Sequence, residues 1–511
     1  MHRTLGLETE YGITVDGVDN VDVVAESIAL VRSYTQVEPP AKDSAMKWDY
    51  NLEDPHLDLR GFRVEELMQD FDEAKYFIQD KNRQLSYQEI KGDLVLSNGA
   101  RYYNDHAHPE YSTPECRSLA DIVAQDKAGE LIVEECVRRR NLRLQNATVK
   151  VYKNNTDFVG HSYGCHDNYL IGRAVPFGDI VRGMTPFLVT RQVVAGAGKV
   201  GIECEDMPMG VAYQVSQRAD FFSVLVSIDT MNRRPIINTR DEPHANTEKY
   251  RRLHVILGDA NMSEVAGALK IGATVLALDL LEDGACPAGF DLADPVAALK
   301  IISRDPTLRA VVKLTDGRTV SALDIQRAYW VEADRRYRGR CAETDWVLNA
   351  WCGVLDDLER DPMLCRDRLD WVAKKWLLDT FVDSEKLAWD DPWLQSLDLE
   401  YHNVRREDGL FAELVREGSM QRFVTDDAIR RAIRQPPPDT RAYFRGRCID
   451  KFAREMTAVQ WDEIVFGTAD GDRAVSLLNV FDDVEVRRYN AAIDKAADVA
   501  TLLQNIEHER R

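Results

Sequence analysis

The sequence predicts an α+β protein: a mainly antiparallel sheet backed by helices, with a small C-terminal domain after it. Three observations predict this class. Short strand patterns alternating with helical ones fill the first third of the chain, and a mostly helical pattern runs from about 340 to 434. QPPPDT at 435–440 then cannot continue a helix, which divides the chain into a large domain, 1–434, and a small C-terminal domain, 435–511. With 511 residues, 44% of them hydrophobic, the chain can bury a large core.

RTLGLETEYGI (3–13) reads as the opening strand and 23–34 as a helix. Residues 36–92 are polar and weakly periodic, with WDYNLEDPHLDLRGF (48–62) among them. They read as a long insertion loop, a length that is usually functional or disordered. Ser118 opens a helix, standing at capping-box spacing from Asp121 ahead of the apolar Ile122, Leu131, Ile132 and Val133. Further strands are expected at 148–154, around 211–217, at 222–228 and at 252–258. Ser263 begins a long apolar helix that ends near Gly284, a residue suited to the left-handed position after a helix.

Lys plus Arg number 65 against 86 Asp plus Glu, a net charge of −21. That balance disfavours nonspecific binding to nucleic acid or anionic lipid, and no nucleic-acid or membrane partner is expected. An acidic ligand would need a groove where arginines gather. The nine cysteines are scattered and form no CxxC, so neither a disulfide framework nor a zinc knuckle is indicated, and a reducing cytoplasm fits. MHRTLGLETEYG lacks the apolar run of a signal peptide, and the best apolar stretch, 271–281, is too short to span a bilayer.

The chemistry concentrates in two segments. Glu8 and Glu10 in LETEYG are two apart, so on a strand both carboxylates leave the same face, although alternating glutamates also mark the wet face of a sheet. Arg101, Tyr103 and Asp105 alternate in the same way within NGARYYNDHAHPEYSTPEC (98–116), and HAHP turns the chain toward Glu110 and Glu115. If the two segments are neighbours, several carboxylates converge. Like charges raise one another's pKa, and a hard, oxygen-seeking ion such as Mg²⁺, its shell completed by nucleotide phosphates, relieves them. His106 and His108 could bind zinc or could hold the turn by hydrogen bonds. GAGKVG (196–201) matches GxGxxG only formally, with no βαβ unit around it, and reads as a flexible turn. His166, Asn168, Arg218, Arg240, His244 and His254 lie in polar stretches beside apolar ones, and arginines at strand ends suit phosphate or carboxylate.

ETEYG, NGARYYNDHAHPEYSTPEC, YKNNTD, SYGCHDNYL, TPFLVTRQ, the INTRDEPHA and YRRLHVILGDAN segments, and TRAYFRG together resemble the Pup ligase and Pup deamidase/depupylase family along nearly the whole chain. Pup is a small, acidic, largely disordered protein modifier. The resemblance implies a fold similar to glutamine synthetase and the carboxylate-amine ligases. WDYNLEDPHLDLRGF, DHAHPEY, GSM (418–420), TRAYFRG and WDEIVF lean toward the deamidase/depupylase branch. HDN at 166–168, where the family usually has HEN, and the continuation of the insertion beyond Phe62 depart from the pattern.

Carried over position by position, the resemblance implies that Glu8, Glu10, Tyr103 and Glu110 hold Mg²⁺ bound to ATP, and that Asp105 is catalytic. It associates Arg101, Thr113 and Trp461 with the nucleotide, and His166, Arg218, Arg240 and His254 with the phosphates and the scissile centre. The implied reaction is hydrolysis of the γ-linked amide on the C-terminal residue of Pup, releasing a substrate lysine or ammonia, with ATP as a cofactor that is not consumed each turnover. Pup and pupylated proteins are the implied partners of a chain expected to act as a monomer. RRYRGR (335–340) is one candidate for a basic docking groove, with a solvated helix end as the other reading. The rival activities are Pup ligation, a small-molecule γ-glutamyl ligase, and a non-catalytic Pup-binding regulator.

Overall fold

The computed structural model describes residues 3–35, 48–49, 54–67, 87–203, 212–231, 233–480 and 483–508. The expected insertion loop falls partly outside these residues; its last part is the short helix Tyr87–Lys91.

The first strands are β1 (Leu5–Glu10), β2 (Gly12–Asp16), β3 (Leu94–Val95), β4 (Arg101–Asp105), β5 (His108–Ser112), β6 (Thr148–Tyr152) and β7 (Cys165–Gly172). After them come β8 (Lys199–Val200), β9 (Tyr213–Gln214), β10 (Val224–Ser227), β11 (Pro235–Asn238) and β12 (Tyr250–Val255). Six of these form the central sheet in the order β12-β7-β1-β5-β4-β3, and every pairing in it is antiparallel. The expected opening strand is broken at Tyr11: β1 stays in the central sheet, and β2 leaves it to pair with β6. The strand expected around 211–217 is only two residues long, and β10 pairs with β11 in parallel.

Alternation explains the layering. Leu5 and Leu7 of β1, Tyr169 and Ile171 of β7, and Leu253 and Val255 of β12 point to one side, where they join the main hydrophobic core. Helices Leu119–Asn141 and Glu264–Glu282 pack on that side. Both begin as their sequences require: the Ser118 hydroxyl accepts from the Asp121 N–H and the Ser263 hydroxyl from the Ala266 N–H. Gly284 follows the second helix with φ +62°, the left-handed turn that stops it.

Beyond 435–440, helix Arg441–Phe452, the antiparallel strands Met456–Val459, Glu463–Thr468 and Gly471–Ser476, and helices Asp483–Lys495 and Val499–His508 gather around a second hydrophobic cluster. Trp48 and Val95 belong to the same cluster, so the insertion and the sheet edge are packed into it. No helix among the described residues is long and apolar enough to cross a membrane.

Candidate active site

Because β1 buries Leu5, Leu7 and Thr9 on the helix side, Glu8 and Glu10 must face the other way. The register then decides what meets them. Glu10 lies opposite Glu110 on β5, and Glu110 opposite Tyr103 on β4. Glu8 lies opposite Ser112 on one side and His166 on the other, while Asn168 lies opposite His254 on β12. Asp105 shares this face at the end of β4, paired with His108. One sheet face therefore carries a continuous polar surface across five strands.

Two clusters result. One ligand atom from each of Glu10, Asp105 and Glu110 can be chosen so that all lie within 4.8 Å of one another, and the same holds for Glu8, His166 and His254. Burial, together with the Asp105, Glu8 and Glu10 charges, pushes the Glu110 carboxyl well above its usual range. The donor set, three carboxylates crowded on a sheet, suits a hard divalent cation such as Mg²⁺. For Asp105, burial opposes ionisation, but the Lys91 ammonium at 2.7 Å, with His106 and Arg101 nearby, outweighs it and holds the carboxyl low. Glu8 is also held low against burial, by His166, Arg252 and Asn168.

Burial and the Arg252 charge push His254 well down, so its ring is neutral. Its Nδ1 lies 2.8 Å from Asn168 Oδ1, which also accepts from Arg252. The Asn168 NH₂ group donates to Glu8, which fixes the amide orientation and makes His254 Nδ1 the donor. Nε2 of His254 then keeps its lone pair. Gly164 completes the floor: its N–H donates to Glu10 Oε2 at 2.8 Å, and a Cβ there would run into His166 and Glu10.

Arg218 is 2% exposed, donates to the Ile256 carbonyl and to Ser162 Oγ, and feels the Glu10 charge. Arg240 lies near His254 and 4.0 Å from Glu242. Arg101 is held by Asp93 at 2.7 Å and lies over the rings of Trp48 and Tyr103. Thr113 ties β1 into the sheet, its hydroxyl accepting from the Leu7 N–H at 3.0 Å. It also lines a cleft beside Glu8 that His244, Arg252, Trp461 and Val480 close from other segments. Trp461 meets Trp48 edge to face, with ring centroids 5.2 Å apart.

The geometry thus gathers Glu8, Glu10, Tyr103, Asp105, Glu110, His166, Arg218 and His254 on or beside one surface, and puts Thr113 and Trp461 on the adjoining cleft. Glu115 does not join the carboxylates as expected. It is captured by Arg441 at 2.6 Å and Arg445 at 2.5 Å, which fasten helix Arg441–Phe452 to the segment that follows β5. His108 holds the turn, its Nδ1 3.1 Å from the Tyr11 carbonyl and its ring stacked on Tyr163. GAGKVG, expected as a flexible turn, is instead buried and runs into β8, with Lys199 held between Glu203 and Asp220. In RRYRGR, Arg335 and Arg338 pair with Glu332 and Asp334 on their own helix, and Arg340 pairs with Asp279. The helix-end reading fits these pairings. Lys91, Arg234 and Arg252 are not singled out by the sequence. Arg252 sits at the strand alternation of His254, the one signal that points to it.

A profile described as Pup-ligase protein matches residues 3–465. The chain is 47% identical over 471 residues to a depupylase of Acidothermus cellulolyticus, covering 91% of each. It is 43% identical over 484 residues to a Pup deamidase/depupylase of Mycolicibacterium smegmatis, covering 93% of the chain and 94% of the relative. A Pup–protein ligase of Gordonia bronchialis is 44% identical over 380 residues, covering 72% of the chain and 83% of the ligase. Among solved structures, the Pup ligase PafA in complex with Pup superimposes with a TM-score of 0.76 at 32% identity, over 99% of this chain and 92% of that one. PafA in complex with ADP gives 0.72 at 34% identity, over 88% and 95%.

Proposed function

The chain belongs to the Pup ligase family, and from that premise we propose that it is a depupylase and Pup deamidase. It hydrolyses the isopeptide bond between the side chain of the C-terminal glutamate of Pup and a substrate lysine, and converts a C-terminal glutamine of Pup to glutamate. Similarity to the hydrolytic relatives over more than nine-tenths of the chain, against 72% for a ligase, supports hydrolysis over ligation. One structural observation carries the chemistry: the convergence of Glu10, Asp105 and Glu110 beside Glu8, His166 and His254.

ATP and Mg²⁺ are the cofactors of this reading. Glu8, Glu10 and Glu110, with Tyr103 beside them, would hold the metal. Arg101, Thr113 and Trp461 would face the nucleotide, and His166, Arg218, Arg240 and His254 the phosphates and the scissile centre. When bound, the metal and nucleotide supply positive charge and phosphate oxygens next to the carboxylates.

The protein's own groups do the rest. Asp105 presents an ionised carboxylate at the strand end, kept so by Lys91, ready to attack the amide carbonyl or to draw a proton from a nucleophilic water. Arg218 offers fixed positive charge to the oxyanion that develops. Tyr103 bonds Glu110, and Asn168, held by the neutral His254 and by Arg252, orients Glu8. Pup, acidic and disordered when free, folds onto the surface as it binds. The division at 435–440 into a catalytic and a C-terminal domain is part of the same reading, with Trp461 reaching the nucleotide cleft from the latter.

The test is to incubate the protein with a Pup conjugate and a non-hydrolysable ATP analogue. Release of free substrate is the expected outcome, and Asp105→Asn should abolish release while Pup still binds. Conjugate formation with ATP and no release with the analogue would establish the ligase instead.

A further inference from the structure

Among the described residues, two arginines beside the carboxylate surface have no counter-ion. Arg218 and Arg234 form no ion pair among the described residues; their hydrogen bonds go to Ser162 and to backbone carbonyls. Arg234 donates to the Ser162 carbonyl at 2.7 Å and Arg218 to the Ser162 hydroxyl at 3.2 Å, so one residue holds both guanidiniums. Nε of Arg234 is buried without a partner. Burial, and then the neighbouring Arg218, push Arg234 down to about 10, with only Glu10 pulling the other way. Glu10 itself is gripped by the N–H of Gly164, two residues beyond Ser162, so the pair borders the carboxylate cluster.

Two desolvated like charges side by side are costly unless an anion visits them. Nothing in the sheet supplies one: Glu10 is already committed to Gly164 and to its carboxylate neighbours. A guanidinium pair with unused donors suits a small planar oxyanion.

We propose that Arg234 binds the terminal α-carboxylate of the Pup chain, while Arg218 beside it serves the scissile centre. This rests on the depupylase reading above and deepens it. In a C-terminal glutamate or glutamine, the α-carboxylate belongs to the same residue as the scissile side-chain amide. A receptor for it near Glu10, which clusters with Asp105 and Glu110, would position that amide and would reject internal glutamates, which have no free carboxylate. Arg234 is thereby a specificity-determining residue, one that sequence inspection alone does not single out.

The experiment compares deamidation by the full-length protein of two synthetic Pup chains, both ending in glutamine, one with a free α-carboxylate and one with an α-carboxamide. A charge-assisted bond to a guanidinium contributes about 1.5–3 kcal/mol, so the wild type should favour the carboxylate roughly tenfold or more in kcat/KM. Arg234→Gln should lose most of that preference through KM for the carboxylate substrate, Arg234→Lys should restore part of it, and ADP affinity should stay unchanged in both. Equal rates on both substrates by the wild type, or an undiminished preference in Arg234→Gln, would overturn the proposal. So would calorimetric binding of inorganic phosphate that depends on Arg234 while the carboxylate preference survives its loss. If the wild type deamidates neither chain, the depupylase reading fails instead.

Discussion

Gly164 is where one missing carbon decides the site. It follows Tyr163 at the entry to β7, its N–H reaches Glu10, and any side chain would occupy the space that His166 and Glu10 share. Both groups are side-chain ends and can move aside, so the cost falls on catalytic geometry rather than on the fold. Gly164→Ala should lower kcat/KM for conjugate cleavage about tenfold or more, since sub-ångström displacement of reacting groups is expensive. Its thermal midpoint and circular dichroism should stay close to the parent's. A variant that cleaves normally would show that Glu10 and His166 tolerate displacement. This constraint is invisible in SYGCHDNYL as a string, because it arises only when β1 lies against β7.

At the scale of elements, strand alternation made half of the site legible. It put Glu8 with Glu10, and Arg101 with Tyr103 and Asp105, on common faces, and the antiparallel register then set Glu10 beside Glu110. Partners that come from distant segments left no local trace. Lys91 pairs with Asp105 from the end of the insertion, and Glu115 meets arginines more than three hundred residues away. That second pairing has a pH signature. Burial would raise the Glu115 carboxyl, but Arg445 and Arg441 outweigh it and bring it down to about 2. A depressed carboxyl stabilises the fold above its unfolded value, near 4.5, and loses that contribution as pH falls toward 2. The shift corresponds to about 3 kcal/mol. Glu115→Gln should therefore be less stable than the parent at pH 7, with the gap in urea-unfolding free energy closing between pH 4.5 and 2. A gap that does not change with pH would mean the pair adds nothing beyond its packing.

For the whole molecule, the question is how the insertion, the sheet and the C-terminal segment make one cleft. Besides Lys91, the described parts of the insertion are fixed at two places that border the cleft. Leu59 donates to the Thr239 carbonyl at 2.7 Å and Asp58 accepts from the Thr239 hydroxyl, next to Arg240. Trp48 bridges to Val459, packs edge to face on Trp461, and lies under the Arg101 guanidinium. Arg101 belongs to the sheet, Trp461 to the C-terminal strands, and Trp48 to the insertion, so the indole of Trp48 is the common contact of all three. Removing it should loosen the wall of the cleft more than the core. An edge-to-face aromatic pair contributes about 0.5–1.5 kcal/mol beyond burial, which converts to roughly two- to tenfold in affinity. Trp48→Ala should weaken ADP binding by about that factor in calorimetry and speed hydrogen exchange across 456–468, whereas Trp48→Phe should keep most of both. If ADP affinity is unchanged while exchange rises, the insertion braces the C-terminal strands without shaping the nucleotide site.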